Sequence, residues 1–282
     1  MGDSAVLAAD ELRELDWDRY AASLVVPGEH RRGVQAIFAF SAEIAAIRER
    51  VSEPGPGEIR LQWWMDAIEG DGHGAIASNP TADALLKALE TYALPAGPLL
   101  RLLAARRFDL YNDPMLDVGQ FEGYAGETVS VLYQYAAMIL SGGPVDEAAD
   151  AAGHLGVAYA LTGHLRAFGY NAQRGQLFLP LSVFSAHGVR EADIHAGVES
   201  DQLRAALEQI VELARHHADK AKAAIAGLGP AIKPAFAGIA LVERDLKTAR
   251  RYVVAPYAGH AAPARLSRLW ALTWWMLRHG RG

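Results

Sequence analysis

The chain contains no cysteine in its 282 residues. That excludes disulfides, thiolate metal sites and a cysteine nucleophile. No apolar run approaches the roughly 20 residues needed to span a bilayer. Alternating β-branched runs, the mark of a half-buried strand, are nearly absent. Positive charge is also short: the formal net charge is -6, which argues against bulk attraction to nucleic acid, and no nucleic-acid partner is expected. The opening MGDSAVLAADELRELDWDRY carries acids early and has no basic region followed by an apolar stretch. It is therefore unlike a secretory signal or a transit peptide. H-E-x-x-H, G-x-S-x-G, P-loop and dinucleotide fingerprints are missing. The expected location is the cytoplasm, either free or peripheral to the inner membrane.

Hydrophobic residues are abundant, at 51%, enough for a sizeable core. They recur at helical spacing along almost the whole chain. A first helix is expected over residues 10–26, stopped by Pro27. A second is expected over 29–52, with Val34, Phe38, Ile44 and Ile47 on its apolar side, before the break PGPG at 54–57. Asn79 and Thr81 are cap candidates around Pro80. Long helices are expected over 118–140, 145–168 and 200–228, and a last one over 264–279. The pattern predicts an all-α fold of roughly ten helices in one domain spanning residues 1–282.

Two stretches stand out, residues 18–70 and residues 161–180, the second ending RAFGYNAQRGQLFLP. Together they resemble the squalene/phytoene synthase family, and the resemblance runs through nearly the whole chain in helix order. It implies an isoprenoid-synthase helical barrel with a central cavity. It also implies two aspartate-rich motifs on facing helices, the second followed by a Gly-Arg-aromatic-Leu-Pro stop. Here RGQLFLP takes the place of that stop, with Gln176 at the arginine position. The chemistry explains the aspartates. Ionising an allylic diphosphate releases a multiply charged leaving group, and Mg²⁺ held by carboxylates neutralises it. Carboxylates at i and i+4 share one helix face and converge on the metal.

This chain departs from that pattern. In FAFSAEIAAIRE, Ala45 and Ala46 fall at the paired aspartates and Glu49 at the third, while Arg48 sits among them. In the second motif Ala167 and Asn171 take the aspartate positions. The segments Glu43–Glu53, Ile59–Trp64 and 121–133 resemble one branch of the family, which includes a mitochondrial complex I assembly factor. Two functions from different classes are therefore open. One is a non-catalytic protein with a role in respiratory complex I assembly or lipid binding. It needs no cofactor, and its partners are respiratory-complex subunits or a lipid or prenyl ligand. The other is an active head-to-head prenyl transferase acting on farnesyl or geranylgeranyl diphosphate, with Mg²⁺ on Glu43, Glu49 and Asn171.

Arg60, Gln62, Arg166, Tyr170 and Arg174 are the candidates for holding a phosphate or lipid head group. Simpler readings stand beside them. Residues 60 to 64 are too close in sequence for one helix to aim Arg60, Gln62, Trp63 and Trp64 into one cavity. Trp63 or Trp64 then packs in the core while Arg60 and Gln62 face elsewhere. Arg166 and Arg174 suit solvated or helix-terminal charges equally or better. Glu43 and Glu127, acids on apolar helices, suit pairing with a facing arginine. His154 and His164 lie on different helix faces, and His216–His217 reads as solvated surface. At the C-terminus Trp270, Trp274 and Leu277 recur at helical spacing among Arg265, Arg268, Arg278 and Arg281. That suits a helix lying on a membrane surface, or a last helix packed by one face on the barrel.

Overall fold

Helices are the only regular elements among the described residues, 4–71 and 76–279, of the computed structural model. The N-terminal group is α1 (Ser4–Leu15), α2 (Trp17–Ser23), α3 (Gly28–Ala45), α4 (Ile47–Arg50), α5 (Pro54–Glu69) and α6 (Pro80–Thr91). The middle holds α7 (Gly97–Arg106), α8 (Val118–Ala125), α9 (Val131–Ser141), α10 (Ala149–Arg166) and α11 (Phe168–Gln173). The remainder is α12 (Leu181–Ala186), α13 (Glu191–His195), α14 (Asp201–Gly227), α15 (Ile239–Thr248), α16 (Arg250–Val254) and α17 (Arg265–His279). The expected caps form: the Asn79 side chain accepts from the Ala82 N–H and Pro80 opens α6.

The core is arranged around α10. Its buried residues, from Ala151 through Leu155, Ala158 and Leu161 to Leu165, cover most of its circumference. Small residues let neighbours come close. A Cβ at Gly156 would stand 2.6 Å from the Ser130 Cα, so only glycine permits this contact. The most extensive partner of α10 is α14. That helix buries Leu203, Leu207, Ile210, Ala214, His217 and Ala221 at three- and four-residue spacing, one apolar stripe on an otherwise charged helix. His217 belongs to that stripe, which corrects the reading of His216–His217 as solvated. Its Nδ1 lies 3.1 Å from His154 Nδ1 on α10, and its Nε2 lies 3.2 Å from Glu122.

Four helices expected as continuous are interrupted, and the interruptions shape the molecule. Asp16 ends α1 and caps α2, accepting from the Arg19 N–H at 2.9 Å; a short acid competes for the backbone and starts a new helix. Between α8 and α9 the residues Gly126–Ser130 form a π turn, a widening common at functional sites. Ala46 divides α3 from α4, and Ala167 divides α10 from α11. Both of these breaks fall inside the two motif segments.

The C-terminal helix packs by one face. Leu272 and Trp275 are buried, whereas Leu266, Trp270, Trp274 and Leu277 are exposed. Arg268, read above as part of a basic surface, is instead 1% exposed. Its Nε lies 3.0 Å from Asp18 and its Nη2 2.8 Å from Asp245, and Arg166 Nη1 lies 3.3 and 3.2 Å from the same two acids. Two cations and two anions thus tie α2, α10, α15 and α17 together. Burial pushes the Asp18 carboxyl above the usual range, against the pull of Arg268 and Arg166. Arg281 lies outside the described residues. Truncation in Arg268→Ala leaves two buried acids with one cation and is expected to destabilise the fold by about 3 kcal/mol. Trp270→Ala, on the exposed face, is expected to stay within about 0.5 kcal/mol, both read from urea denaturation midpoints.

Candidate functional site

The breaks at Ala46 and Ala167 face each other across a cleft of about 350 Å³. From the first come Ala45, Arg48 and Glu49, and from the second Ala167, Tyr170 and Asn171. The i and i+4 positions of each motif therefore share one cavity, as the spacing predicts. The opposite wall is built by Tyr124 and by Thr128 and Val129 of the π turn, with Gly163 and His164 of α10 between them. The corner after α11 closes one side. Gly175 takes a left-handed φ of 70°, which lets the chain turn back. The Leu177 carbonyl then accepts from Met115 N–H at 2.9 Å, and the Leu181 N–H donates to the Met115 carbonyl at 2.7 Å. That extended return holds Gln176 buried, donating to the Asp109 carbonyl at 3.2 Å.

Charge in the cleft is organised in pairs. At the mouth, Glu49 accepts from Tyr170 OH at 2.7 Å and lies 3.7 Å from Arg174 Nη2, while the Arg174 guanidinium stacks 5.3 Å over the Tyr170 ring. Deeper in, Arg106 Nη1 donates to Asp109 at 2.8 Å and to Tyr124 OH at 2.9 Å, and Tyr124 OH donates to Asp109 at 2.5 Å. Burial raises the Tyr124 hydroxyl well above its ordinary value, so it stays a donor. Arg19, buried at the back, pairs with Asp16 at 3.0 Å and lies 4.9 Å over the Tyr159 ring. Arg48 has no acid partner among the described residues; the one hydrogen bond it makes there is to Asn112 Oδ1 at 3.5 Å, at the limit of a hydrogen bond. The Nε atoms of Arg19, Arg48 and Arg106 are buried without a hydrogen-bond partner.

Mg²⁺ fits this donor set poorly. The ion wants several carboxylate or phosphate oxygens in near-octahedral array. The cleft offers two alanines and one neutral amide at motif positions, one carboxylate shared with Arg174, and one committed to Arg106. Arg48 adds a cation where repulsion matters most. Among the described residues no group of three or more histidines, aspartates or glutamates is placed to hold a metal ion.

Of the residues named from sequence, Glu49, Tyr170 and Asn171 line the cleft, and Arg174 braces its mouth through Glu49. Arg166 points into a separate groove with Asp18, His260 and Arg265; it is a helix-terminal charge, as read, but one paired with Asp18 and Asp245 rather than solvated. Glu43 is also elsewhere, in a groove with Arg50, Arg60 and Trp63. Its carboxylate accepts from Asn79 at 3.3 Å rather than pairing with an arginine, and burial, with Glu11 nearby, raises its pKa. Gln62 is exposed and donates to Asp66 at 2.7 Å. Trp64 is the buried member of its pair, 5.0 Å from Phe40 in an edge-on contact. Glu127 pairs with Arg101 at 3.3 Å, but on the surface rather than across the cavity. Arg19, Arg106, Asp109 and Tyr124 do not stand out in the sequence. Their local signals are the i, i+3 pairs Asp16 with Arg19 and Arg106 with Asp109, which any surface helix could carry.

His164 stacks on Phe178 at 4.7 Å. Burial, reinforced by the Arg106 charge, pushes its pKa down to about 3. The sign comes from linkage: below about pH 6.5 the unfolded chain takes a proton that the native ring refuses, so stability falls as pH falls toward the folded value. Because the ring still lines an open cleft, the loss expected between neutral pH and about pH 4.5 is about 2 kcal/mol rather than the full shift. His164→Gln is expected to lack that component, measured as a smaller difference between urea midpoints at the two pH values.

The Squalene/phytoene synthase family model matches residues 12–269. The rat protein named NADH dehydrogenase (ubiquinone) complex I, assembly factor 6 is 31% identical over 250 residues, covering 88% of this chain and 74% of its own. The Thermus thermophilus phytoene synthase is 31% identical over 232 residues, covering 79% and 73%. A crystal structure of a dehydrosqualene synthase in complex with ligand superposes with a TM-score of 0.80 at 17% identity, over 98% of this chain and 97% of that one. The fold is thus the isoprenoid-synthase helical fold expected above, and the chain belongs to the squalene/phytoene synthase family.

Proposed function

We propose that this chain performs no prenyl transfer and serves as a non-catalytic member of its family in respiratory complex I assembly, with its cleft open to a lipid or prenyl ligand. The observation that carries the first half is the cleft's supply of carboxylates. Positions 45 and 167 are alanine, position 171 is an amide, and Glu49 is held by Tyr170 and Arg174. Ionising an allylic diphosphate needs strong stabilisation of a developing multiple charge. One shared carboxylate beside Arg48 is a poor base for the metal cluster that family chemistry uses. The second half is supported by the name of the rat relative. Fold alone carries no chemistry. The exposed Leu266, Trp270, Trp274 and Leu277 of α17, with Arg265 and Arg278 beside them, suit contact with an anionic membrane surface.

The identity to the Thermus thermophilus phytoene synthase favours a second reading, an active transferase using Mg²⁺ on Glu49 and Asn171. One experiment separates the two. Purified protein is incubated with farnesyl or geranylgeranyl diphosphate and Mg²⁺, and the products are extracted. No C30 or C40 product is expected. Deleting the gene in its own organism is expected to lower assembled complex I, and wild type and Glu49→Ala are expected to restore it equally. Multiple turnover that Glu49→Ala abolishes would establish the transferase instead.

A further inference from the structure

The guanidinium groups of the cleft are its least explained feature. Arg19, Arg48 and Arg106 all line one cavity of about 350 Å³. Each has a buried Nε–H with no acceptor. Buried unpaired donors are costly in native proteins, so the protein alone leaves these three guanidiniums under-satisfied. The acids nearby do not supply the acceptors. Asp16 is taken by Arg19, Asp109 by Arg106 and Tyr124, and Glu49 by Tyr170 and Arg174. Arg48 is left with no acid among the described residues, so the lining carries a surplus positive charge. Arg48 also stands within the segment where the family's motif would place carboxylates.

We propose that this cleft binds a phosphate-type anion, a phosphate ester or a diphosphate, directly through Arg48, Arg106 and Arg19, with no divalent cation between ligand and protein. Guanidinium forks match phosphate oxygens in geometry and charge. The site therefore reverses the usual order of charges: the cation is covalent and the metal is dispensable. The proposal rests on the non-catalytic reading above and gives it a ligand class. The size of the ligand is also constrained. Arg19 and Tyr159 wall the cleft off from an apolar space lined by Val26, Val34, Phe38 and Tyr133. That space holds about 10 Å³, the volume of a single water. Arg19 is fixed there by Asp16 and the Tyr159 ring. A long hydrocarbon chain cannot pass behind it, so the bound part is head-group sized and any tail leaves through the mouth.

The test is isothermal titration of the purified protein with inorganic pyrophosphate and with farnesyl diphosphate, each in EDTA and in Mg²⁺, followed by product extraction. Two variants suit it. Arg48→Gln removes the one lining cation that has no acid partner. Gly163→Leu fills the cleft, since a Cβ at Gly163 meets nothing within 4 Å, and leucine is a better helix former than glycine. Thermal midpoints of both variants are measured alongside to show that they fold. Binding in EDTA is expected, not strengthened by Mg²⁺, weakened about tenfold or more by Arg48→Gln and abolished by Gly163→Leu. Similar affinity for the two ligands assigns the site to a free phosphate anion; affinity about tenfold higher for the ester assigns it to a lipid head group. Both support the proposal. Absence of binding in EDTA, or wild-type binding by both folded variants, overturns it. If binding requires Mg²⁺ and product forms, the non-catalytic reading falls as well. If neither binding nor product is seen, only the anion site falls. If binding in EDTA persists and product also forms, only the non-catalytic reading falls.

Discussion

A guanidinium taken out of water must be matched by an acid, and in this fold that matching decides which helix ends meet. Arg268 on the last helix reaches Asp18 on α2 and Asp245 on α15, and Arg166 at the end of α10 shares both acids. Four helices from the beginning, middle and end of the chain are thereby locked in register around the central helix. Arg19 with Asp16, and Arg106 with Asp109 and Tyr124, do the same at the back and floor of the cleft. Such networks are weak sources of net stability but strict about geometry. Breaking one leaves charge buried with no partner, so the pairs behave as fixed points between which the apolar helices pack.

The same constraint shapes the cleft. Every acid lining or bracing it is engaged by a neighbouring arginine or tyrosine, and the cations outnumber what those acids satisfy. A cavity of this electrostatic sign attracts oxyanions and repels divalent cations. Residues beside the helix breaks at Ala46 and Ala167 and in the π turn at 126–130 line the cleft. Its scaffold is that of a prenyl-diphosphate enzyme, while its donor chemistry suits direct anion recognition. Both observations are compatible with a protein kept for what it holds or presents rather than for what it converts.

Much of this is legible in the sequence, for identifiable reasons. Helical periodicity is a property of many residues at once, so the all-α fold survives local error. The motif positions 45, 49, 167 and 171 are legible because i, i+4 spacing fixes a shared face. The breaks are not. Alanine at 46 and 167 is a good helix former, and only the packing of α4 and α11 shows that the chain turns there. The ion pairs are also hidden. Arg268 looks like any basic residue on an amphipathic helix, and its partners lie far away in sequence at positions 18 and 245. His217 reads as surface because its neighbours are charged; its burial depends on the α10 face opposite. Glu43, an acid on an apolar helix, reads as reaching for an arginine, yet Asn79 bonds it instead.

On the proposal above, the cleft takes anions without metal. The most direct measurement is electron paramagnetic resonance of Mn²⁺ titrated into the protein, with and without pyrophosphate, because bound Mn²⁺ loses the sharp signal of the free ion. The free-ion signal is predicted to be the same with the wild-type protein and with Glu49→Ala, whether or not pyrophosphate is present, once the ion's own complex with pyrophosphate is subtracted. Stoichiometric Mn²⁺ bound to the wild-type protein and released by Glu49→Ala would contradict it.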